Sequence, residues 1–315
     1  MVKSITQKVN SPDVSCDLIE DIFNVLRFRG SIFFSSSLAA PWGLALEESS
    51  SPRFHINLKG DFFIGVSGSE DAVQVRQGAI VVLPQGDSHW VADQQNRNLI
   101  PSHDAGKLCQ LAEPLIQRGE ISNKLICGII NFDEHVSHPL IEALPHFLHF
   151  SQFSHTDPIW LTVRVIEKEL QRSGSSSSAV IDRLTEVLFL LLLDNYLKEH
   201  NASQGFLAAL QNRRVSQALS LLHSRPEHHW TLEELGKQAG MSPSTLQRQF
   251  KDTVGVPPMT YLAQWRVLKA HNLIKYSSMP LEDIADETGF ANARTLNKAF
   301  SRAFKRTPSS LRKGK

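Results

Sequence analysis

The sequence predicts an α+β protein, in which an N-terminal β-barrel with a helical hairpin precedes a C-terminal all-α domain that carries two helix-turn-helix units. Three observations predict this fold class. Apolar residues alternate with a period of two over about 31–132, they follow a helical period over about 158–198, and one helical pattern occurs twice after residue 206. At 315 residues the chain exceeds the usual size of one domain. We therefore predict two domains, at 1–200 and 206–315.

The charge of the chain divides unevenly between these two parts. From Phe206 onward the chain contains 17 Lys and Arg against 8 Asp and Glu, a net charge of +9, whereas residues 1–205 contain 16 against 24, a net charge of −8. The two values sum to the formal net charge of +1. A basic segment on an acidic body indicates a module that binds the phosphate backbone of a nucleic acid. The alternative is a chance division of charge between two solvated surfaces.

Cysteine usage and hydropathy indicate a cytoplasmic protein. Cys16, Cys109 and Cys127 are odd in number and far apart, so neither a disulfide framework nor a zinc-finger spacing can be drawn from them. The N-terminus shows no apolar run of the signal-peptide type. The longest apolar run, Val187 to Leu193, is too short to span a bilayer, which predicts no membrane partner.

The β-rich region follows a short amphipathic helix at 13–29. From Ser31 the apolar period changes from helical to two, and glycine-containing turns separate the successive runs. Half a dozen short strands within about 60 residues are typical of a sandwich or barrel, and a further strand is predicted within 109–132. The apolar positions of the runs are Ile32, Phe33, Phe34, Phe54, Ile56, Leu58, Phe62, Ile64, Val66, Val73, Val75, Ile80 and Val82.

The segment from Gly78 to His89 has the spacing Gly-x5-Pro-x-Gly-x2-His, which resembles the second sequence motif of the cupin barrels. Its glycines and proline shape the strand end that presents His89. The first cupin motif is poorly kept, because Asn57 stands where a second histidine beside His55 is expected. A metal site needs three or four aligned ligands. We therefore predict no cofactor, and a metal held by His55 and His89 is the alternative.

The predicted barrel is expected to bind a small-molecule effector in a mainly apolar cavity. The predicted pocket residues are His55, His89 and Trp90, with the two histidines as polar groups near its mouth. The apolar positions expected to point inward are Phe54, Ile56, Ile64, Val82 and Trp90.

Two helices are predicted after the barrel, at about 158–172 and 180–198. The second is apolar nearly all round, so it should be buried on more than one side. One side would cover the barrel and another would meet a second subunit, which predicts a homodimer. Five histidines within 135–155 lack the i, i+4 spacing of a helical zinc site and are interpreted as surface residues.

A repeated helical pattern fills the segment from Thr231 to Pro308. In each copy a short apolar-faced helix ends at a glycine, and a second helix buries apolar residues four apart while it exposes polar ones. These features predict helix-turn-helix units at about 231–252 and 281–302, joined by a helix from Met259 to Tyr276. The matching positions are Leu232 with Leu281, Leu235 with Ile284, Gly240 with Gly289, Leu246 with Leu296, Phe250 with Phe300 and Pro258 with Pro308.

With Trp265-Arg266 between the units and Phe304-Lys305-Arg306 after them, residues 206–315 resemble the AraC/XylS transcription regulators. The resemblance implies that the second helix of each unit enters the major groove of DNA and that RNA polymerase is a partner. Gln247 and Arg248, then Arg294, Asn297 and Lys298, would contact base edges. The full predicted DNA-binding set is Ser244, Thr245, Gln247, Arg248, Lys251, Ala293, Arg294, Thr295, Asn297, Lys298 and Arg302.

The predicted function is sequence-specific, double-stranded DNA binding that regulates transcription, in response to an effector in a cupin-like sensor domain. This protein would not be an enzyme. The alternative class is a metal-dependent cupin enzyme with a fused helical DNA-binding tail, which would need the missing ligands. A DNA-bending structural protein would not explain 200 residues of acidic barrel and hairpin.

Overall fold

The computed structural model describes residues 14–26, 29–69, 71–101, 120–131, 139–172, 177–200 and 205–313. The chain divides into two compact units. One consists of Phe28–Glu134 and Leu144–His200, and we call it the sheet unit. The other consists of Met1–Arg27, His135–Ala143 and Asn201–Lys315, and we call it the helical unit.

The sheet unit contains two five-stranded sheets. The strands are β1 Arg29–Ala39, β2 Gly43–Leu46, β3 Arg53–Lys59, β4 Phe62–Val66, β5 Val73–Val75, β6 Ile80–Leu83, β7 His89–Ala92, β8 Ile100–Pro101, β9 Ile121–Asn131 and β10 Leu148–Phe150. One sheet has the strand order β1-β9-β3-β6-β10 and the other β5-β4-β7-β2-β8. Neighbouring strands pair antiparallel, except that β2 and β8 run parallel. The predicted β-rich region is confirmed.

The inner faces of the two sheets share one apolar core. Because side chains alternate along a strand, each strand contributes every second residue to it. Residues from both sheets take part, and all are buried: Leu38, Trp42, Leu44, Leu46, Phe62, Ile64, Val75, Ala79, Val81, Leu83, Val91, Leu125 and Cys127.

The expected inward positions were right at Ile64 and wrong at the other four. Phe54 pairs with Val82 and Gly128, one residue out of phase with the core residues Val81 and Cys127. Phe54, Ile56 and Val82 therefore lie on the outer face of their sheet. Trp90 alternates with the core residue Val91 in the same way. Phe54, Ile56 and Val82 are buried although they lie on the outer face, so apolar character alone did not show which residues face the inner core.

A helical hairpin accompanies the sheets. Helix α3 spans Pro158–Leu170 and α4 spans Ser177–Glu199, close to the predicted bounds. Helix α4 packs on β1 at Gly30, where a β-carbon would overlap the side chain of Thr185. Among the exposed large apolar side chains, four belong to this hairpin: Leu161, Val165, Val180 and Val187.

The helical unit contains α1 Val14–Leu26, α2 Pro139–Glu142, α5 Gly205–Gln211, α6 Arg213–Ser224, α7 Leu232–Gln238, α8 Pro243–Val254, α9 Pro258–Tyr276, α10 Leu281–Glu287, α11 Ala293–Phe304 and α12 Pro308–Lys313. The segment at 206–223 forms the two helices α5 and α6. The side chain of Asn212 accepts hydrogen bonds from the backbone of Arg214 and Val215 and so begins α6.

Helix α1 packs against α6 and α9 of the same unit. Leu18 and Ile22 are buried, and the side-chain amide of Asn272 donates to the carbonyl oxygen of Asn24 at 3.2 Å. The sequence range of 1–200 for the first domain did not anticipate this position of α1. Residues 201–204, between the two predicted domains, lie outside the described residues, and the domain boundary stays a prediction.

None of the described helices is both long enough and apolar enough to cross a lipid bilayer.

Candidate DNA interface and candidate effector site

The first helix-turn-helix unit is formed by α7 and α8. The hydroxyl of Thr231 caps α7 by accepting from the backbone of Glu234 at 3.1 Å. Gly240 then takes a φ of +67°, which lets the backbone of Met241 donate back to Gly236 at 2.8 Å. Ser242 caps α8, and Pro243 occupies its first position. These local signals produce the tight turn that the sequence predicts.

The second unit repeats this construction in α10 and α11. Gly289 takes a φ of +76°, and the backbone of Phe290 donates to Ala285 at 2.8 Å. Asn292 and Thr295 form a capping box, in which each side chain bonds to the backbone of the other residue. The predicted buried faces are present, because Leu246, Phe250 and Val254 in α8 and Leu296 and Phe300 in α11 are buried. Phe304, the third predicted member in α11, is half-buried and packs against the same core.

The predicted DNA-binding residues lie on the free faces of α8 and α11. Ser244, Gln247, Arg248, Lys251, Arg294, Thr295, Lys298 and Arg302 are exposed, and Thr245, Ala293 and Asn297 are half-buried. Seven of them make neither a side-chain hydrogen bond nor an ion pair within the described part of the chain. These seven, which we call the open side chains, are Gln247, Arg248, Lys251, Arg294, Asn297, Lys298 and Arg302.

The two threonines of the predicted set hold helix ends. The Thr245 hydroxyl accepts from Ser242 at 2.8 Å, and the Thr295 hydroxyl donates to the carbonyl oxygen of Asn292 at 2.8 Å. The backbone N–H of Ala293 donates to Glu282 at 2.9 Å. Glu282 belongs to the first turn of α10 and was not among the predicted residues, because its contact with the beginning of α11 joins positions 11 residues apart.

In the sheet unit, a chain of hydrogen bonds runs through the core between β9, β3 and β7. The Nδ1 atom of His55 lies 2.8 Å from the sulfur of Cys127, and its Nε2 atom lies 2.8 Å from Nε2 of His89. The Nδ1 atom of His89 lies 2.8 Å from the carbonyl oxygen of Asp87. All three side chains in this Cys127–His55–His89 chain are buried.

The Asp87 carbonyl determines where the hydrogens lie in the Cys127–His55–His89 chain, because a carbonyl oxygen can only accept a hydrogen bond. Because the Asp87 carbonyl cannot donate, Nδ1 of His89 carries the hydrogen, and its Nε2 accepts from Nε2 of His55. Nδ1 of His55 then accepts from the Cys127 thiol. Burial lowers the pKa of His55 well below its usual value, with smaller contributions from His89 and Arg53. Burial also lowers the pKa of His89 to about 4. Both imidazoles are therefore neutral at pH 7.

The motif from Gly78 to His89 positions this end of the sheets. Gly78 and Gly86 take φ values of +86° and +71°. A β-carbon at Gly86 would overlap the carbonyl of Ser49, and the backbone of Ser49 donates to the carbonyl oxygen of Gly86 at 2.9 Å. The Asp87 carboxylate accepts from His146 at 3.0 Å. Glycine at position 86 thus allows two loops to meet beside His89.

The donor set around His55 does not fit a cupin metal site. Both ring nitrogens of His55 are engaged, and the thiol and His89 lie on opposite sides of the ring. Asn57 donates its amide to the carbonyl oxygens of Gly60 and Val75, at 2.7 and 2.9 Å. The described residues contain no group of three or more His, Cys, Asp and Glu that could hold a metal ion.

The third predicted pocket residue, Trp90, lies away from the two histidines. It is on the outer face of its sheet, where a β-carbon at Gly65 would overlap its indole ring. Of the predicted surface histidines, His146, His149 and His155 are exposed, and His135 and His138 lie outside the described residues. Partial burial of the His149 ring lowers its pKa. Sequence reasoning missed Arg53, which faces the same side of β3 as His55.

Comparison with known proteins matches both parts of the chain. Residues 17–198, more than half of the chain, match the family described as Cupin, and residues 235–314 match a helix-turn-helix domain family. An AraC-like transcription regulator of Streptomyces antibioticus is 28% identical over 301 residues, which cover 94% of this chain and 98% of that protein. The transcriptional regulator AlkR of Acinetobacter baylyi is 27% identical over 305 residues, with 94% and 99% covered.

Among solved structures, ToxT of Vibrio cholerae aligns over 90% of this chain and 96% of its own, at 11% identity and a TM-score of 0.34. The matched families and the near full-length likeness to curated regulators agree with the two helix-turn-helix units and the two-sheet unit. The chain belongs to the AraC-type transcriptional regulators, which join a cupin domain to a helix-turn-helix DNA-binding domain.

Proposed function

We propose that this regulator reads DNA with the open side chains of α8 and α11, and that a small molecule bound in the sheet unit controls it. The observation that carries the proposal is the composition of the two free faces. Seven side chains, five of them basic and two of them amides, extend from two helices with no competing partner in the described part of the chain. Such groups match the acceptors and donors of phosphates and base edges.

Each helix supplies both kinds of contact that sequence-specific binding needs. Arginine suits guanine, and glutamine or asparagine suits adenine, because each can form two hydrogen bonds with the base edge. In α8 these residues are Arg248 and Gln247, and in α11 they are Arg294 and Asn297. The two helices would enter successive major grooves about one helical turn apart, roughly 34 Å.

The effector is proposed to bind in the sheet unit, near His55 and His89. Support comes from the buried polar chain beside the apolar core, because ligand sites combine apolar lining with a few fixed hydrogen-bonding groups. Trp90 is not proposed as part of this site, since it faces the other side of its sheet. The protein is proposed to act as a sensor here and not as an enzyme.

A homodimer formed through the helical hairpin is proposed as well. Leu161 and Val165 in α3 and Val180 and Val187 in α4 are each between 42% and 50% exposed. A group of exposed apolar side chains on two adjacent helices suits contact with a second subunit. Regulation would take place in the cytoplasm, with double-stranded DNA and RNA polymerase as partners.

The DNA-binding part of the proposal is tested by titrating the full-length protein against fragments of genomic DNA at several salt concentrations. Replacing phosphate counterions with basic side chains makes affinity fall steeply as salt rises. Lys251→Ala should lower the slope of log affinity against log salt by about 1. A matched control is Arg76→Ala, because Arg76 is exposed in the sheet unit. Retention that does not depend on salt would contradict the proposal.

A further inference from the structure

Arg53 buries part of its guanidinium group without an acceptor. It lies at the beginning of β3, two residues before His55, and pairs with Leu83 and Ile129. Its Nε and Nη1 atoms are buried, and neither has a hydrogen-bond partner among the described residues. A guanidinium is charged at every physiological pH and can only donate. Removing its N–H groups from water without supplying acceptors is unfavourable unless something else provides them.

The charge of Arg53 has no direct counterion in the described part of the chain. Glu47 is close enough to raise the pKa of Arg53, but no ion pair joins them, and burial has the larger effect and lowers that pKa. His55 and His89 are neutral, and the Asp87 carboxylate is hydrogen-bonded to His146, with no ion pair between Asp87 and Arg53. An acceptor for the buried N–H groups must therefore come from outside these residues. Arg53 as a whole is only half-buried, so solutes can reach it.

The chemistry of the missing acceptor follows from the guanidinium. Planar guanidinium groups bind carboxylates and phosphates with charge-assisted hydrogen bonds. One cation balances one negative charge, which favours a carboxylate over a phosphate that is largely doubly charged at pH 7. The apolar core begins directly beside Arg53, at Leu83. This combination fits an organic acid whose anionic end meets Arg53 and whose apolar body meets the core.

We propose that Arg53 binds the carboxylate of a small organic acid, and that this acid is the effector of the sheet unit. The second half rests on the proposed function, whereas the first half stands on Arg53 alone. Arg53 and His55 lie two residues apart on the same face of β3, so the proposed site adjoins the Cys127–His55–His89 chain.

Formate is the probe for the carboxylate site. It is the smallest carboxylate, so its binding does not depend on the size or shape of the adjoining apolar site. The thermal midpoint of the full chain is measured in sodium formate and in sodium chloride at equal ionic strength. Formate should raise the midpoint of the wild type by at least about 2 °C over chloride, in a saturable way. Formamide, which is neutral, should not. Equal midpoints in formate and chloride would overturn the carboxylate site.

Variants assign the formate effect to the guanidinium. Arg53→Gln should abolish the difference between formate and chloride, and Arg53→Lys should reduce it, because a lysine keeps the charge but loses the planar fork. Arg76→Gln is the matched control, since it removes the same charge from an exposed site in the same unit and should respond as the wild type does. An undiminished formate effect in Arg53→Gln would place the bound anion elsewhere.

The stability of the ligand-free variants tests the alternative that Arg53 is simply a structural partner of Glu47. If its buried charge is uncompensated, Arg53→Met should keep or raise the ligand-free midpoint, and Glu47→Gln should tighten formate binding by removing a competing charge. A structural ion pair predicts the opposite, with both variants lowering the midpoint. Lowered midpoints in both folded variants would refute the proposal.

DNA titrations separate the two halves. Formate binding that depends on Arg53, together with DNA affinity that formate leaves unchanged, would keep the carboxylate site and refute its role in regulation. DNA affinity that formate changes in the wild type but not in Arg53→Gln is the expected result. A wild-type protein that binds no DNA at all would refute the proposed function and leave the carboxylate result standing.

Discussion

The guanidinium of Arg266 is packed against Gly289. Arg266 lies on α9, between the two helix-turn-helix units, and donates to the carbonyl oxygens of Pro226 at 2.6 Å and His228 at 2.9 Å. A β-carbon at Gly289 would lie 2.8 Å from the guanidinium carbon and 2.7 Å from the Pro226 carbonyl oxygen. The turn of the second unit therefore sits directly on the segment that leads into the first. This contact joins the second helix-turn-helix unit to the segment that precedes the first.

The two turn glycines offer a matched pair of substitutions. Gly240 and Gly289 both take a left-handed φ, +67° and +76°, but a β-carbon at Gly240 meets nothing within 4 Å. Gly240→Ala should therefore cost only the backbone strain, about 1–2 kcal/mol of the free energy of unfolding. Gly289→Ala adds a clash with backbone and should cost more. Urea unfolding of both variants measures the difference, and equal losses would refute the packing of Gly289 on Arg266 and Pro226.

Helix α1 should stabilise the helical unit. Ile22 is fully buried where α1 packs against α6 and α9, so Ile22→Ala should lower the free energy of unfolding of that unit by about 2–4 kcal/mol. Amide hydrogen exchange in α6 and α9 should accelerate accordingly. Ile19→Ala is the control, because Ile19 is only half-buried on the same helix. Unchanged exchange in the Ile22 variant would show that α1 does not pack there in solution.

Acid should weaken the sheet unit through its buried histidines. The pKa of His89 is about 4 in the folded protein and near 6.5 when unfolded. Between these values the unfolded state binds the proton first, so stability is full above about pH 6.5 and falls as the pH drops towards 4. The loss attributable to His89 is at most about 3 kcal/mol. Burial lowers the pKa of His55 in the same direction, so it adds to the effect.

His89→Gln isolates this effect, because glutamine keeps a hydrogen-bonding group but does not titrate. Urea unfolding of the wild type and the variant at pH 7.5, 6.5, 5.5 and 4.5, roughly spanning the interval, should give curves that converge as the pH falls. His155→Gln, at an exposed position, should follow the wild type. A difference between His89→Gln and wild type that does not vary with pH would contradict the lowered pKa.

Much of this structure is readable from the sequence, because local signals determine it. The repeated unit carries its own caps and turn glycines, and the spacing of Leu246, Phe250 and Val254 specifies the buried face of α8 without reference to the rest of the chain. The Gly-Pro-Gly pattern before His89 likewise specifies a turn.

The wrong predictions concern features that depend on tertiary packing, such as which residues of a strand face the inner core. Phe54 and His55 are both buried, so a pattern of apolar residues in the sequence could not show which of the two faces the inner core. The pairing of His55 with Cys127 spans 72 residues, and the contact of Arg266 with Pro226 spans 40. Neither leaves a local pattern in the sequence. The unpartnered nitrogens of Arg53 are visible only after its neighbours are placed.

DNA reading by α8 and α11 is tested by selecting DNA sequences that bind the full-length wild type, Arg248→Ala, Arg294→Ala and the control Arg76→Ala. If side chains of both α8 and α11 contact bases, the selected site should contain two short motifs about 10 base pairs apart. Arg248→Ala should relax the base preference in one motif and Arg294→Ala in the other, each at a cost of about 1–3 kcal/mol at the wild-type site. Arg76→Ala should select the wild-type site. Wild-type preferences in both reading-helix variants would contradict the account.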